Sequence, residues 1–270
     1  MSIVDAELTT IAFCWRLERA DGVTLGFTSH DRDLAIGDLL YRSAPGMLPS
    51  AITLSEGFEA DTLDVRGALS SDAISGEDLA AGRWDGAAVA LFMADWADPA
   101  AATVPLVRGT LGDVSISRNG FEAELRGPTA ALDGPVVEQT SPECRAALGD
   151  KRCRVDMAGW RRIVRITEVL SETAIRVSAA AADEIYRFGS VRWISGRNCG
   201  LATGVAASAG DRLTLRDPPH RPAEPGDLVE IEEGCDKSLA TCSGRFGNAI
   251  NFRGEPYLPG MDLLTRYPDA

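Results

Sequence analysis

Lysine is almost missing from this 270-residue chain. Of its 27 basic residues only Lys151 and Lys237 are lysines, and the rest are arginines. Positive charge is also in short supply overall: 40 acidic residues leave a formal net charge of −13. Such a chain is a poor direct partner for nucleic acid, because phosphate contact needs clustered cations. The arginine bias reads either as a mark of a GC-rich genome or as a preference for planar, bidentate contacts at subunit interfaces. No apolar run approaches the ~20 residues that cross a bilayer, so membrane insertion is not expected. The opening MSIVDAELTT has no basic patch followed by an apolar stretch, and does not read as a secretory signal. There is no HExxH motif, no phosphate-binding glycine loop, no internal repeat and no low-complexity segment.

Strand signals dominate what remains. Thr9 to Glu18 and Val23 to Thr28 read as a hairpin turning at Asp21-Gly22. Further strands are expected at Ala87 to Met93, Val104 to Leu111, Asp113 to Ser117 and Phe121 to Arg126, with Asn119-Gly120 turning the last pair. Helix signals are short and lie at Gly76 to Ala81 and Pro128 to Leu132. From Ile163 to Ile231 runs a second β-rich block, IVRITEV, AIRVS, EIYRFGSVRWIS, GLATGVAA, DRLTLR and DLVEIEE, punctuated by Gly and Pro. Short strands at that spacing suggest a small barrel of about 70 residues. The fold class is therefore mainly β. Residues 1–135 form a β-rich N-terminal domain and residues 163–231 an inserted β-barrel. Residues 136–162 with 232–270 form an irregular segment around the barrel's neck. The tail beyond Gly234 has little regular pattern, so something other than a helix or sheet core is expected to fix it.

Six cysteines are present, and four form two loose pairs. Eight residues separate Cys144 from Cys153, six separate Cys235 from Cys242, and the barrel block lies between the pairs. Thiols gathered among Arg, Asp, Gly and Lys usually hold each other or a metal. Disulfides are disfavoured in a long chain without a secretion signal. Structural zinc prefers ligand pairs two to four residues apart. An iron–sulfur cluster accepts looser spacing, and buried free thiols are the bland alternative. Spacing alone leaves zinc and cluster close.

Cys14 alternates with apolar residues in the first strand and reads as core. Cys199, in SGRNCGL, reads as a turn thiol packed against the barrel rather than a fifth ligand. His30, Asp31 and Asp33 read as a hydrogen-bonded loop, and His220 as a solvated one. A Cys199–His220 dyad has no third group to orient it, so no catalytic residue is assigned. Phe246, Phe252 and Tyr257, interleaved with Arg245, Asn248 and Asn251, suggest an ordered, hydrogen-bonded coil. An electron-transfer or cluster enzyme would need a second cofactor motif or a substrate pocket. A cell-wall hydrolase would need a Cys–His or acidic catalytic set.

The order C-x8-C, inserted domain, GCDKSLATC and then GRFGNAINFRGEPYLPGMD resembles the phage tail-tip (baseplate) hub proteins. The likeness is strongest to the gene transfer agent and prophage type, related to the minor tail protein L of lambda. GFTSHDRDL, GALSSDAIS, AAGRWDGAAVALFMADW and RGTLGDVS extend it through the N-terminal half. The resemblance implies a virion structural protein at the tail tip, assembled in the bacterial cytoplasm. It would act as a homotrimeric ring between the distal tail protein ring and a large receptor-facing tip protein, with a tail-associated cell-wall peptidase nearby and DNA only in transit. It also implies a [4Fe–4S] cluster on Cys144, Cys153, Cys235 and Cys242, with Cys14 and Cys199 as bystanders. Zinc remains the alternative.

Overall fold

The computed structural model describes residues 10–43, 48–49, 62–68, 74–116, 120–127, 130 and 137–258, with backbone alone at 48–49, 62–68, 116 and 120–122. It divides into two units, Met1–Val136 and Val137–Ala270.

In the first unit nine described strands make one sheet. They are β1 (Ile11–Glu18), β2 (Thr24–Thr28), β3 (Leu34–Ile36), β4 (Leu39–Arg42), β5 (Leu48–Pro49), β6 (Thr62–Ala68), β7 (Ala88–Asp95), β8 (Val104–Ile116) and β9 (Gly120–Arg126). Their order is β3-β4-β2-β1-β7-β8-β9-β6-β5. β1 is central because its side chains are apolar on both faces. Trp15 and Leu17 enter a core with Phe27, Ile74, Leu79, Trp84 and Leu91. Ala12 and Cys14 enter a second core with Leu34, Tyr41 and Ala94. The expected first hairpin forms, but its loop is longer than the Asp-Gly pair. Arg19 N–H donates to Val23 O, and Gly22 takes φ +90°, a conformation open to glycine. The two strands expected at Val104 to Leu111 and Asp113 to Ser117 are one strand as far as Ile116, Ser117 lying outside the described residues. A bulge between Leu111 and Val114 breaks the apolar alternation that separated them in the sequence. The short helix α1 (Gly76–Ala80) forms where expected, capped by Ser75. β3 to β6 went unread because they are short or carry Asp, Arg and Gly. Apart from Ala130, the helix expected at Pro128 to Leu132 lies outside the described residues, as does Asn119 of the second turn.

The second unit holds a closed barrel of β10 (Arg161–Val169), β11 (Ala174–Ala181), β12 (Ser190–Trp193), β13 (Ala202–Leu215) and β14 (Leu228–Glu232), in the order β10-β11-β13-β12-β14. Its interior is apolar and tightly filled, with Ile166, Ile175, Val191, Trp193, Val205, Leu213, Val229 and Ile231 each at most 1% exposed. GLATGVAA and DRLTLR belong to one long strand, β13, rather than two. Its first part pairs with β12 and its last part with β11. Of EIYRFGSVRWIS only Ser190–Trp193 is strand. The tail is more regular than expected: α2 (Leu239–Gly244) is capped by Ser238, and a single 3-10 turn covers Ala249–Asn251. Six residues rich in Ser, Thr, Cys and Gly carry too little helical periodicity to be read. Among the described residues no helix is long and apolar enough to cross a membrane.

Candidate metal centre

The two cysteine pairs sit in loops with internal carboxylate organisers. In the first, the Asp150 carboxylate accepts from three backbone N–H groups, those of Ala147 (2.9 Å), Arg152 (2.8 Å) and Cys153 (2.6 Å). These bonds, the one from Cys153 foremost, hold the Asp150 pKa below its usual value. Arg154 follows in the left-handed region at φ +63°, which turns the chain sharply after the thiol. In the second loop, Asp236 accepts from Ser238 N–H and Thr241 Oγ1, both at 2.9 Å, while Ser238 Oγ caps α2 at Thr241 N–H. Cys235 follows the end of β14, outside any strand or helix, and Cys242 rides on α2.

Lys237 stitches the loops together. Its carbonyl accepts from Cys144 N–H (2.9 Å), and its ammonium donates to Ala146 O (2.7 Å), 91 residues away. Its own φ of +65° lets both groups face the first loop. Further along, Arg145 N–H donates to Arg253 O at 3.0 Å. The Arg145 guanidinium forks onto the Glu255 carboxylate at 2.6 and 2.9 Å, and that carboxylate also accepts from Ser141 N–H. Arg145 holds the Glu255 pKa down to about 2. Arg245 ties α2 to the end of the barrel through Gly234 O, Ile185 O and Glu233.

These bonds bring Cys144, Cys153, Cys235 and Cys242 to the wall of one cavity, alongside Ala146, Leu148, Val155, Phe246, Asn248 and Asn251. Neither histidine is among the lining residues. Burial pushes the Cys235 thiol up, as it does Cys242, to which nearby Cys144, Cys235 and Cys153 add. Two of the sulfurs face N–H donors. Arg253 N–H points to Cys144 Sγ at 3.4 Å, and Asn248 Nδ2 to Cys153 Sγ at 3.7 Å. Hydrogen bonds to sulfur are one of the means by which proteins tune an iron–sulfur centre. The donor set, four thiols from two distant stretches in a largely apolar wall, fits such a centre. Among the described residues no three His, Cys, Asp or Glu side chains meet to hold a single metal ion. The void has room for about one water, so a bound centre requires its walls to part.

The remaining candidates lie elsewhere. Cys14 is fully buried, 3.6 Å from Thr28 Oγ1, and burial raises its pKa. Cys199 is exposed rather than packed on the barrel, with its thiol donating to Ile194 O. The reason is next door: Asn198 takes the buried place and bonds both Arg221 backbone groups. His30 sits in the expected hydrogen-bonded loop, its Nδ1 accepting from Arg32 N–H at 3.1 Å and its ring against Trp96. Asp33 accepts from Ser43 N–H. His220 is in an exposed loop. Sequence reasoning did not find Asp150, Lys237 or the Arg145–Glu255 pair. The signal for Lys237 was its rarity, one of two lysines and placed inside a cysteine pair.

Sheet, barrel and thiol-lined cavity define a mainly β protein whose cysteines gather at the foot of a closed barrel. Residues 2–156 match the family described as baseplate hub protein, N-terminal attachment domain. Residues 184–262 match one described as phage conserved hypothetical protein BR0599. A solved chain from the virion of a native gene transfer agent particle is similar at 38% identity and a TM-score of 0.88, over 98% of this chain and 94% of that one. No curated protein matches. The chain belongs to the baseplate hub protein family.

Proposed function

We propose that the protein is the structural hub of a phage-like tail tip, with Cys144, Cys153, Cys235 and Cys242 holding a [4Fe–4S] cluster as a cross-link. The carrying observation is that four cysteines from two stretches separated by a whole barrel line one cavity. Family membership and the virion neighbour support the tail-tip role. In this reading three copies form a ring joining the distal tail protein to the receptor-facing tip protein, with a cell-wall peptidase associated. No catalytic step is involved. A bound cluster would supply four iron–thiolate bonds that pin the C-terminal segment to the stretch before the barrel. Cys144, Cys153, Cys235 and Cys242 would hold it, and the apolar side chains of Leu148, Val155 and Phe246 in the same wall would keep water away. The net charge of −13 suits the wall of a channel that DNA crosses, because like charge disfavours adhesion.

Anaerobic purification with iron, sulfide and zinc analysis tests the cofactor. About four irons and four sulfides per chain are expected, whereas one zinc would replace the cluster and leave the hub role standing. Cys235→Ser is expected to lose the metal, lower stability and block tail assembly. Normal particles from that variant would sink the cross-linking role.

A further inference from the structure

We propose that Asn248 is the positioning residue of the thiol cavity: it ties one cysteine of each pair together, Cys242 through its backbone and Cys153 through its carboxamide, and the carboxamide sets the potential of the centre they hold. The inference rests on the cluster reading above. Asn248 is 8% exposed and uses each of its polar groups. Its N–H donates to Cys242 O at 2.9 Å, and its carbonyl accepts from Cys242 Sγ at 3.4 Å. Its Nδ2 donates to Cys153 O at 2.6 Å and faces Cys153 Sγ at 3.7 Å, across 95 residues of sequence. Its Oδ1 accepts from Asn251 Nδ2 at 2.7 Å.

The orientation is fixed by chemistry. Cys153 O can only accept, so the amide nitrogen must face it, and the oxygen is left for Asn251. The position is telling as well. Asn248 precedes the 3-10 turn at Ala249–Asn251, where an asparagine side chain ordinarily caps the following backbone. Here it makes no capping bond and turns to Cys153 instead. An N–H dipole aimed at a ligand sulfur favours the more negative state of a centre bound through that sulfur. Removing it should lower the midpoint potential as well as loosen the pairs.

The test uses the full chain with Asn248→Ala and Asn248→Asp, the latter of equal size but lacking the donor. In metal-free protein, iodoacetamide should reach Cys153 about ten-fold faster in Asn248→Ala, and Cys242, which the backbone of residue 248 still holds, should change less. Exposed Cys199 should be unchanged and buried Cys14 still protected. After anaerobic reconstitution the midpoint should move to a more negative potential in Asn248→Ala, and further in Asn248→Asp. If the Asn248 variants do not fold, Asn251→Ala, which removes only the bond orienting the carboxamide, should give the same changes in smaller degree. Unchanged alkylation together with an unchanged midpoint overturns the proposal. Wild-type protein that takes up no iron overturns the cluster reading and the redox part with it, and the alkylation rates then decide the bridging part alone.

Discussion

Glu255 shows how a single residue ties the tail down. Its pKa, ordinarily 4.5, is lowered to about 2 by the Arg145 guanidinium and by Ser141 N–H. A carboxylate depressed on folding stabilises above its unfolded pKa and loses that contribution as pH falls through its folded one. Glu255→Gln is therefore expected to destabilise the protein at neutral pH and to flatten the fall in stability between pH 4.5 and about 2. Urea unfolding followed across that window checks it, and an unaltered pH profile would exclude the linkage. The residue scale is also where the sequence was hardest to read. The cysteines announce themselves because thiols are few and their spacing is visible. Asp150, Lys237 and Glu255 act through backbone groups, and no side-chain pattern encodes which backbone N–H or carbonyl will be near. Cys199 misled for a related reason, since nothing in SGRNCGL says that Asn198 rather than the thiol turns inward.

At the scale of elements, strand alternation and turn residues exposed the first hairpin, β7, β9 and most of the barrel. A bulge hid the continuity of β8, and β13 looked like two strands because Gly210, at φ +59°, sits where its pairing with β11 is irregular. Two glycines mark a point the sequence could not rank. A Cβ on Gly234 would lie 1.7 Å from Arg187 O, and one on Gly189 would lie 1.9 Å from Glu232 O. Both contacts are with backbone, which cannot swing aside as a side chain can. Gly234→Ala is expected to cost about 3 kcal/mol, read from the denaturant midpoint, with the neighbouring Cys235 shifted from the cavity. Ser238→Ala removes the cap of α2 and should cost about 1 kcal/mol, with weaker metal retention because Cys242 rides on that helix. Full retention of iron in Ser238→Ala would show that α2 needs no cap to present its thiol.

For the whole molecule, each unit has its own apolar core, so residues 137–270 are expected to fold and melt cooperatively without the sheet. A fragment lacking a cooperative transition by circular dichroism would refute that. The acid-rich composition predicts that the isolated protein does not retard DNA in a low-salt mobility-shift assay, and a strong shift would count against an open, non-adhesive channel. One register carries a further consequence. The first residue of the barrel, Arg161, pairs with its last, Glu232. The strand that opens the barrel and the one that closes it therefore begin and end side by side, and the cysteine loops meet across that narrow gap. Such an insertion is a cassette: evolution can enlarge it, exchange it or trim it to a hairpin without moving the two stretches that flank it. Relatives are then expected to diverge most between Arg161 and Glu232, and a chimaera carrying a foreign barrel there should still assemble its neck.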